Sequence, residues 1–231
     1  MDVKFLGTGG AFNFEYGNSA AWIKINQLHI LLDCGHTVYP VLRDKNLIDK
    51  IDYILITHLH DDHVGSLCST ILHHTYGMNP PRKAKLLIPD QKFDDIMKKF
   101  LVYGLNTPED YVEFHSLDEV EGIQAIDTFG LHVKDVQSYG YIFEDEDEVV
   151  LFSGDLGHPT LIVEHARKIK NKPVRIFHEM SFEQTDGVHV YYEDLFPVVG
   201  EVPIFAYHIN HHIVPPNNIV PLVAEHKDLL I

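Results

Sequence analysis

A chain of 231 residues, 45% hydrophobic and 23% charged, has enough apolar surface for a packed core, which excludes intrinsic disorder. Its net charge of −16, from 34 acidic against 18 basic side chains, argues against the broad basic face that long nucleic acids such as duplex DNA or tRNA require. No apolar run approaches the roughly 18 residues of a membrane helix, and Met1-Asp2-Val3-Lys4-Phe5 enters a strand-like segment without a secretory pattern, so a soluble cytoplasmic protein with no membrane partner is expected. Cys34 and Cys68 stand far apart with no Cys-x-x-Cys pairing, so neither a disulfide framework nor a cysteine zinc knuckle is available. The 17 histidines are the outlying number, and they make metal chemistry the first expectation.

Lys4-Phe5-Leu6 reads as a strand ending in the glycine turn Gly7-Thr8-Gly9-Gly10, and two apolar runs, Ala20 to Ile25 and His29 to Leu32, flank the turn-like Asn26-Gln27. A helix over Val38 to Asn46, a strand over Ile51 to Ile56 and a helix starting near Val64 follow, then the strand Leu86 to Ile88 and a helix over Asp90 to Tyr103. Residues 111–153 read as β-rich, with strands at Gly122 to Phe129, Leu131 to Val136, Tyr139 to Phe143 and Val149 to Phe152. Between the last two lies the acidic run Glu144 to Glu148, read as a solvated turn. Helix Thr160 to Ile169, strand Val174 to His178, helix Tyr191 to Val198 and strand Ile204 to Ala206 close the chain. Without repeats or linkers, one α/β domain over residues 1–231, two sheets covered by helices, is the economical expectation.

Thr57-His58-Leu59-His60-Asp61-Asp62-His63 directly follows an apolar strand, which places four potential ligands in a strand-to-helix loop where side chains converge. Three histidines and an aspartate within six positions are a poor product of chance. The segment resembles the His-x-His-x-Asp-His signature of the metallo-β-lactamase superfamily, matched by His58, His60, Asp62 and His63.

The resemblance continues in chain order. Asp33 in Leu31-Leu32-Asp33-Cys34-Gly35 matches the early aspartate that buttresses the histidine loop. His132, Asp155 in Ser153-Gly154-Asp155-Leu156-Gly157, and His208 after Ile204-Phe205-Ala206-Tyr207 match the later ligands. It implies the αββα metallo-β-lactamase fold and two divalent metal ions, one held by His58, His60 and His132, the other by Asp62, His63 and His208, with Asp155 bridging. Nitrogen and carboxylate ligands without thiolate suit zinc, with manganese or iron as alternatives. Two such ions lower the pKa of a bridging water and clamp an in-line displacement, which favours hydrolysis over redox chemistry.

His178-Glu179-Met180-Ser181-Phe182, followed by Gly187-Val188-His189, resembles the His-Glu-Ala-Thr-Phe motif of the tRNase Z branch. There the glutamate orients a later histidine that protonates the leaving oxygen of a phosphodiester, so Glu179 and His189, with Asp62, are the expected catalytic side chains. A carboxylate that raises an imidazole pKa and fixes its tautomer suits general-acid catalysis near neutral pH. His189 stands closer to His178 than the branch's spacing implies, and a structural histidine at a helix start is the plain alternative.

tRNA-processing members of that branch carry a protruding arm between the third histidine and the bridging aspartate. Here the 23 residues from His132 to Asp155 hold only a hairpin, and its five acids would repel an RNA backbone. A tRNase Z-like centre without the arm resembles the phage anti-Pycsar family, small phosphodiesterases that destroy cyclic pyrimidine and purine mononucleotide signals. The glycine turn with Ala11 to Ser19 adds to that resemblance. It implies hydrolysis of cyclic CMP, UMP, AMP or GMP by a metal-activated hydroxide, evasion of cyclic-nucleotide immune signalling, and a homodimer, in the host cytoplasm where the gene is phage-borne. Another metallohydrolase (of a lactone, a thioester or an RNA 3′ end) and a metal-binding protein without catalysis stay open. Phe12, Phe14, Tyr16 and Tyr76 are aromatic candidates for stacking on a base, although most aromatic residues simply build the core. His36, His73, His74, His211 and His212 have no assigned role, the last two following His208 closely enough to line a pocket or meet a phosphate.

Overall fold

The computed structural model describes residues 1–210 and 213–231. The first sheet begins as an antiparallel meander of β1 (Asp2–Gly7), β2 (Ala20–Ile25) and β3 (Leu28–Leu32). Asn26 and Gln27 alone join β2 to β3, both at positive φ (48° and 69°), the two-residue turn whose twist matches its flanking strands. After α1 (Val38–Asp44), β4 (Tyr53–Leu55) pairs parallel with β3. α2 (Asp61–Val64) and α3 (Leu67–Tyr76) lead to β5 (Ala84–Ile88), and α4 (Gln91–Leu105) leads to β6 (Val112–Ser116), extending the parallel half of this six-stranded sheet.

The second sheet has five strands in the order β11-β10-β9-β8-β7 when numbered along the chain. β7 (Ile123–Asp127), β8 (Tyr139–Glu144) and β9 (Val149–Phe152) are antiparallel neighbours. Beyond α5 (Thr160–Lys168), β10 (Val174–Glu179) and β11 (Ile204–Tyr207) add in parallel. The sheets pack face to face through aromatic rings. Phe5 of β1 lies 5.2 Å from Phe177 of β10, 5.6 Å from Tyr207 of β11 and 6.0 Å from Phe152 of β9, centroid to centroid. α3 and α4 cover the first sheet and α5 the second, which makes the αββα sandwich. Every residue of β9 is buried, as a central strand covered on both faces must be. α4 shows how its sequence meets the sandwich. Phe93, Met97, Leu101 and Leu105 recur every fourth residue on its buried face, and Asp90 caps it by accepting the Phe93 amide at 2.9 Å.

This topology brings the carboxyl ends of β3, β4, β9, β10 and β11 to one edge, where Asp33, His58, Asp155, Glu179 and His208 follow or end the strands. Among the described residues no helix is long and apolar enough to cross a membrane.

Three expected elements differ. Leu131 to Val136 is not a strand but a run of turns, with Leu131 bonding back to Thr128 and Val136 to Val133. β7 stops at Asp127 because its carboxylate accepts the Phe129 amide at 2.9 Å and turns the chain. The helix expected over Tyr191 to Val198 is only the 3₁₀ turn Tyr192–Leu195, since Pro197 cannot continue it. The acidic hairpin turn is partly paired rather than simply solvated: Lys172 meets Glu144 at 2.8 Å and Arg175 meets Glu148 at 2.8 Å.

Candidate metal centre

β4 ends at Leu55, and the chain turns through Thr57 and His58 into α2, whose first turn holds Asp62 and His63 while His60 caps it in extended backbone. The loop is fastened to the end of β3, where the Cys34 amide donates to the His63 carbonyl at 2.7 Å and the Ser66 amide to the Cys34 carbonyl at 3.0 Å. Gly35 permits this approach, because a methyl there would lie 1.8 Å from the Asp62 carbonyl oxygen.

Two groups of ligand atoms result. In the first, His60 Nδ1 lies 2.9 Å from His58 Nε2 and 3.2 Å from His132 Nε2. In the second, Asp62 Oδ2 lies 3.1 Å from His208 Nε2 and 3.4 Å from His63 Nε2. Asp155 Oδ2 sits between them, 3.4 Å from His208, 3.5 Å from His63, 3.8 Å from His132 and 4.0 Å from His58. His208 adopts φ 65°, a left-handed conformation that costs a non-glycine residue energy and is held at the end of β11.

Outer contacts set which nitrogen each ring presents. Asp33 Oδ2 accepts from His63 Nδ1 at 2.8 Å, and its carboxylate also takes the Thr57 amide at 2.8 Å and the Thr57 hydroxyl at 2.9 Å. Thr57 Oγ1 in turn lies 3.1 Å from His58 Nδ1, and the Val188 carbonyl accepts from His132 Nδ1 at 2.7 Å. Nε2 of His58, His63 and His132 is therefore the atom that faces inward. Burial first, then repulsion among the rings, holds His58, His60 and His132 below the ordinary histidine pKa, so they are neutral near pH 7 as ligands must be. Burial opposes ionisation of Asp62 and Asp155, but the surrounding histidines outweigh it and hold both carboxyls well below the usual range.

The donor set fits divalent metal. His63 Nε2 and Asp155 Oδ1 are buried with no hydrogen-bond partner among the described residues, a costly state that coordination would relieve. Imidazole and carboxylate without thiolate suit zinc and also manganese. Cys34, hydrogen-bonded to Ser66 and Thr70, is buried, which pushes its thiol up to about 11 and leaves it inert.

Glu179 ends β10 opposite Tyr207 in the register, which sets it beside His208. Fully buried, it accepts the Val190 amide at 2.8 Å through Oε1 and lies 3.1 Å from His189 Nδ1 through Oε2. Its own amide donates to Ser153 Oγ at 2.9 Å. Thr185 Oγ1 accepts the His189 amide at 2.8 Å and shapes the turn that carries the ring. That turn packs close to the Asp155 loop, for a methyl on Gly157 would meet the Gly187 carbonyl oxygen at 1.6 Å. His189 Nδ1 is 3.8 Å from Asp155 Oδ2. Burial works against a charge on this ring, yet the bond and charge of Glu179, with Asp155 and Asp62, lift it to about 9.

All the expected ligands and the Glu179–His189 pair thus meet at one place, with Asp33 behind them. Thr57, Ser153 and the Val188 carbonyl complete it without having been singled out in the sequence. Other candidates fall elsewhere. His178 points to the face of β10 opposite Glu179 and is fully buried against its neighbour's carbonyl. Tyr76 bonds Tyr111 at 3.2 Å, at the amino end of β6 and the far edge from the metal ligands. His36 pairs with Asp61 at 2.7 Å, His73 lies 3.0 Å from the Tyr39 hydroxyl, and His74 is buried in α3. His211 and His212 lie outside the described residues.

A family model described as "Anti-Pycsar protein Apyc1" matches residues 1–216. The chain is 28% identical over 221 residues to the anti-Pycsar protein Apyc1 of Bacillus phage BSP38, covering 86% of this chain and 84% of that one. It is 33% identical over 148 residues to ribonuclease Z of Metallosphaera sedula, 64% of this chain and 50% of that one. Among solved structures, the metallo-β-lactamase fold protein YhfI from Bacillus subtilis superposes with a TM-score of 0.71 at 16% identity, covering 92% of this chain and 87% of that one, a likeness of fold.

Proposed function

The chain belongs to the anti-Pycsar protein Apyc1 family, and from that premise we propose that it is a metal-dependent phosphodiesterase that hydrolyses cyclic mononucleotides, so as to evade cyclic-nucleotide immune signalling. The observation that carries the proposal is the Glu179–His189 pair, 3.1 Å apart and within 3.8 Å of Asp155. Two divalent ions, zinc or manganese, bound by His58, His60 and His132 and by Asp62, His63 and His208 with Asp155 between, would lower the pKa of an attacking water and take up phosphoryl charge.

The protein's own groups do the rest. Asp62, flanked by His63 and His208, keeps a carboxylate on the site. Glu179 holds Nδ1 of His189, which leaves Nε2 to hand a proton to the departing ribose oxygen. A thioester hydrolase, whose thiolate departs without a proton, has less need of such a donor poised for an alkoxide.

Ribonuclease Z activity is the second reading, favoured by the 33% identical relative. Against it stand the short hairpin of β8 and β9, whose turn closes with Asp145 bonding Glu148, and the net charge of −16. On our reading the whole chain, residues 1–231, works as one domain, assembles as a homodimer and acts in the cytoplasm.

The test is purified protein with zinc or manganese, offered cyclic mononucleotides, precursor tRNA and bis(p-nitrophenyl) phosphate, with products read by chromatography. Cleavage of the cyclic mononucleotides with tRNA left intact supports the proposal. Efficient tRNA 3′ processing at physiological salt overturns it.

A further inference from the structure

Between β1 and β2 the chain leaves the sheet as a loop, residues 10–18, that carries two unusually exposed phenylalanines. Phe12 is 87% exposed and Phe14 68%, whereas Asn13 between them is buried. The loop is firmly built. Asn13 donates its side-chain Nδ2 to the Ile209 carbonyl at 2.8 Å and accepts the Tyr16 backbone amide at 3.1 Å through Oδ1, and the Gly9 amide reaches the Gly17 carbonyl at 2.7 Å.

Both roots of the loop are tied to residues next to the second ligand group. One root rests on Ile209, the residue after His208. At the other, the Asn18 amide donates to Thr37 Oγ1 at 2.7 Å, and Thr37 follows the Gly35 that packs on the Asp62 carbonyl. Asp62 and His208 are themselves 3.1 Å apart, so both anchors of the loop trace to that half of the metal centre.

We propose that Phe12 and Phe14 are specificity-determining residues that stack on the base of the cyclic nucleotide. This rests on the phosphodiesterase reading above. The substrate's negative charge is confined to its phosphate, which belongs at the metal centre. What projects from there is a neutral sugar and a flat, aromatic base. An acidic protein meets such a group by stacking, which needs no positive surface and tolerates either base class. Exposing two phenylalanine rings on a rigid loop beside the site forfeits burial energy, which an apolar ligand face would restore.

The test compares kcat and KM for a cyclic nucleotide and for the matching base-free ribose cyclic phosphate, in wild type, Phe12→Ala, Phe14→Ala, the double variant and Phe12→Trp, with molecular mass followed by light scattering. Wild type should favour the nucleotide in KM, and the alanine variants should shrink that preference roughly 5- to 100-fold, the effect in KM rather than kcat, while Phe12→Trp retains it. An unchanged preference ratio in the double variant overturns the inference. So does a change of mass that accounts for the activity change, since the rings then cover a second copy of the chain. A wild type inactive on both substrates would instead defeat the phosphodiesterase reading itself.

Discussion

Oδ2 of Asp33 accepts the Nδ1 hydrogen of His63 at 2.8 Å, and that bond turns Nε2 of the ring toward the ligand groups. The same carboxylate receives the Thr57 amide and hydroxyl, so three donors depend on one side chain. An asparagine in its place offers a single acceptor oxygen and must abandon part of that set. Asp33→Asn should weaken zinc affinity by about 10- to 100-fold, the usual cost of losing an outer partner of a metal-bound histidine. Competition with a chromogenic chelator measures this, and an affinity equal to wild type would refute the role.

Asp155 offers a sharper test of the paired centre. Its Oδ2 lies between 3.4 and 4.0 Å from His208, His63, His132 and His58, whereas the core beneath it is built by Val149 to Phe152. Elemental analysis of wild type grown with zinc or manganese should return two ions per chain. Asp155→Ala should lose at least one of them and slow turnover by roughly 10²-fold or more, with the far-ultraviolet dichroism unchanged. Full metal content with retained turnover in the variant would exclude the bridging role.

Legibility in the sequence followed range. His58, His60, Asp62 and His63 announce themselves because one short turn supplies them all, and the strand-end placement of Asp33, Asp155 and His208 follows from apolar runs that the parallel strands use. Thr57 and Val188 stayed hidden, since a threonine is unremarkable and a backbone carbonyl has no side-chain signature. Gly35 and Gly157 have meaning only through partners distant in the chain, Asp62 and Gly187. Tyr76 misled for a geometric reason. It sits at the end of the ten-residue α3, so about 15 Å of helix at 1.5 Å per residue separates it from the helix start beside His63. Leu131 to Val136 looked strand-like by composition, yet Leu131 is exposed and Gly130 takes φ 75°, which suits turns that aim His132 inward.

His74 makes stability depend on pH away from the metal centre. It is buried in α3 with both ring nitrogens unpartnered among the described residues, and burial, then Arg82 and His73, pushes it from its ordinary 6.5 down to about 4. The unfolded chain therefore takes up this proton first. Stability is full above pH 6.5 and is lost as pH falls toward 4, with no further loss below. Relative to His74→Leu, the wild type should lose about 2 kcal/mol of unfolding free energy between pH 8 and pH 5. Urea unfolding of the metal-free proteins at the two values checks it, with the other histidines common to both. Parallel pH dependence in wild type and variant would show that His74 keeps an ordinary pKa.

The pair formed by Glu179 and His189 is the part of the site whose role the leaving group can expose. Glu179 Oε2 lies 3.1 Å from His189 Nδ1, and its other oxygen is occupied by the Val190 amide, so the carboxylate is fixed and the ring is aimed. If His189 protonates the departing oxygen, its worth depends on how much that oxygen needs the proton. A ribose alkoxide needs it, and His189→Ala should slow kcat for a cyclic nucleotide by roughly 10² to 10⁴-fold, the ordinary span of general-acid catalysis. A p-nitrophenolate departs unaided, so hydrolysis of bis(p-nitrophenyl) phosphate should fall far less in the same variant. Glu179→Gln should follow the same pattern more weakly, because an amide still holds the ring without its charge. Steady-state kinetics on both substrates, with metal content measured alongside, separates the alternatives. Equal losses on the two substrates, or loss of metal from His189→Ala, would assign the ring to the ligand set instead of to proton transfer.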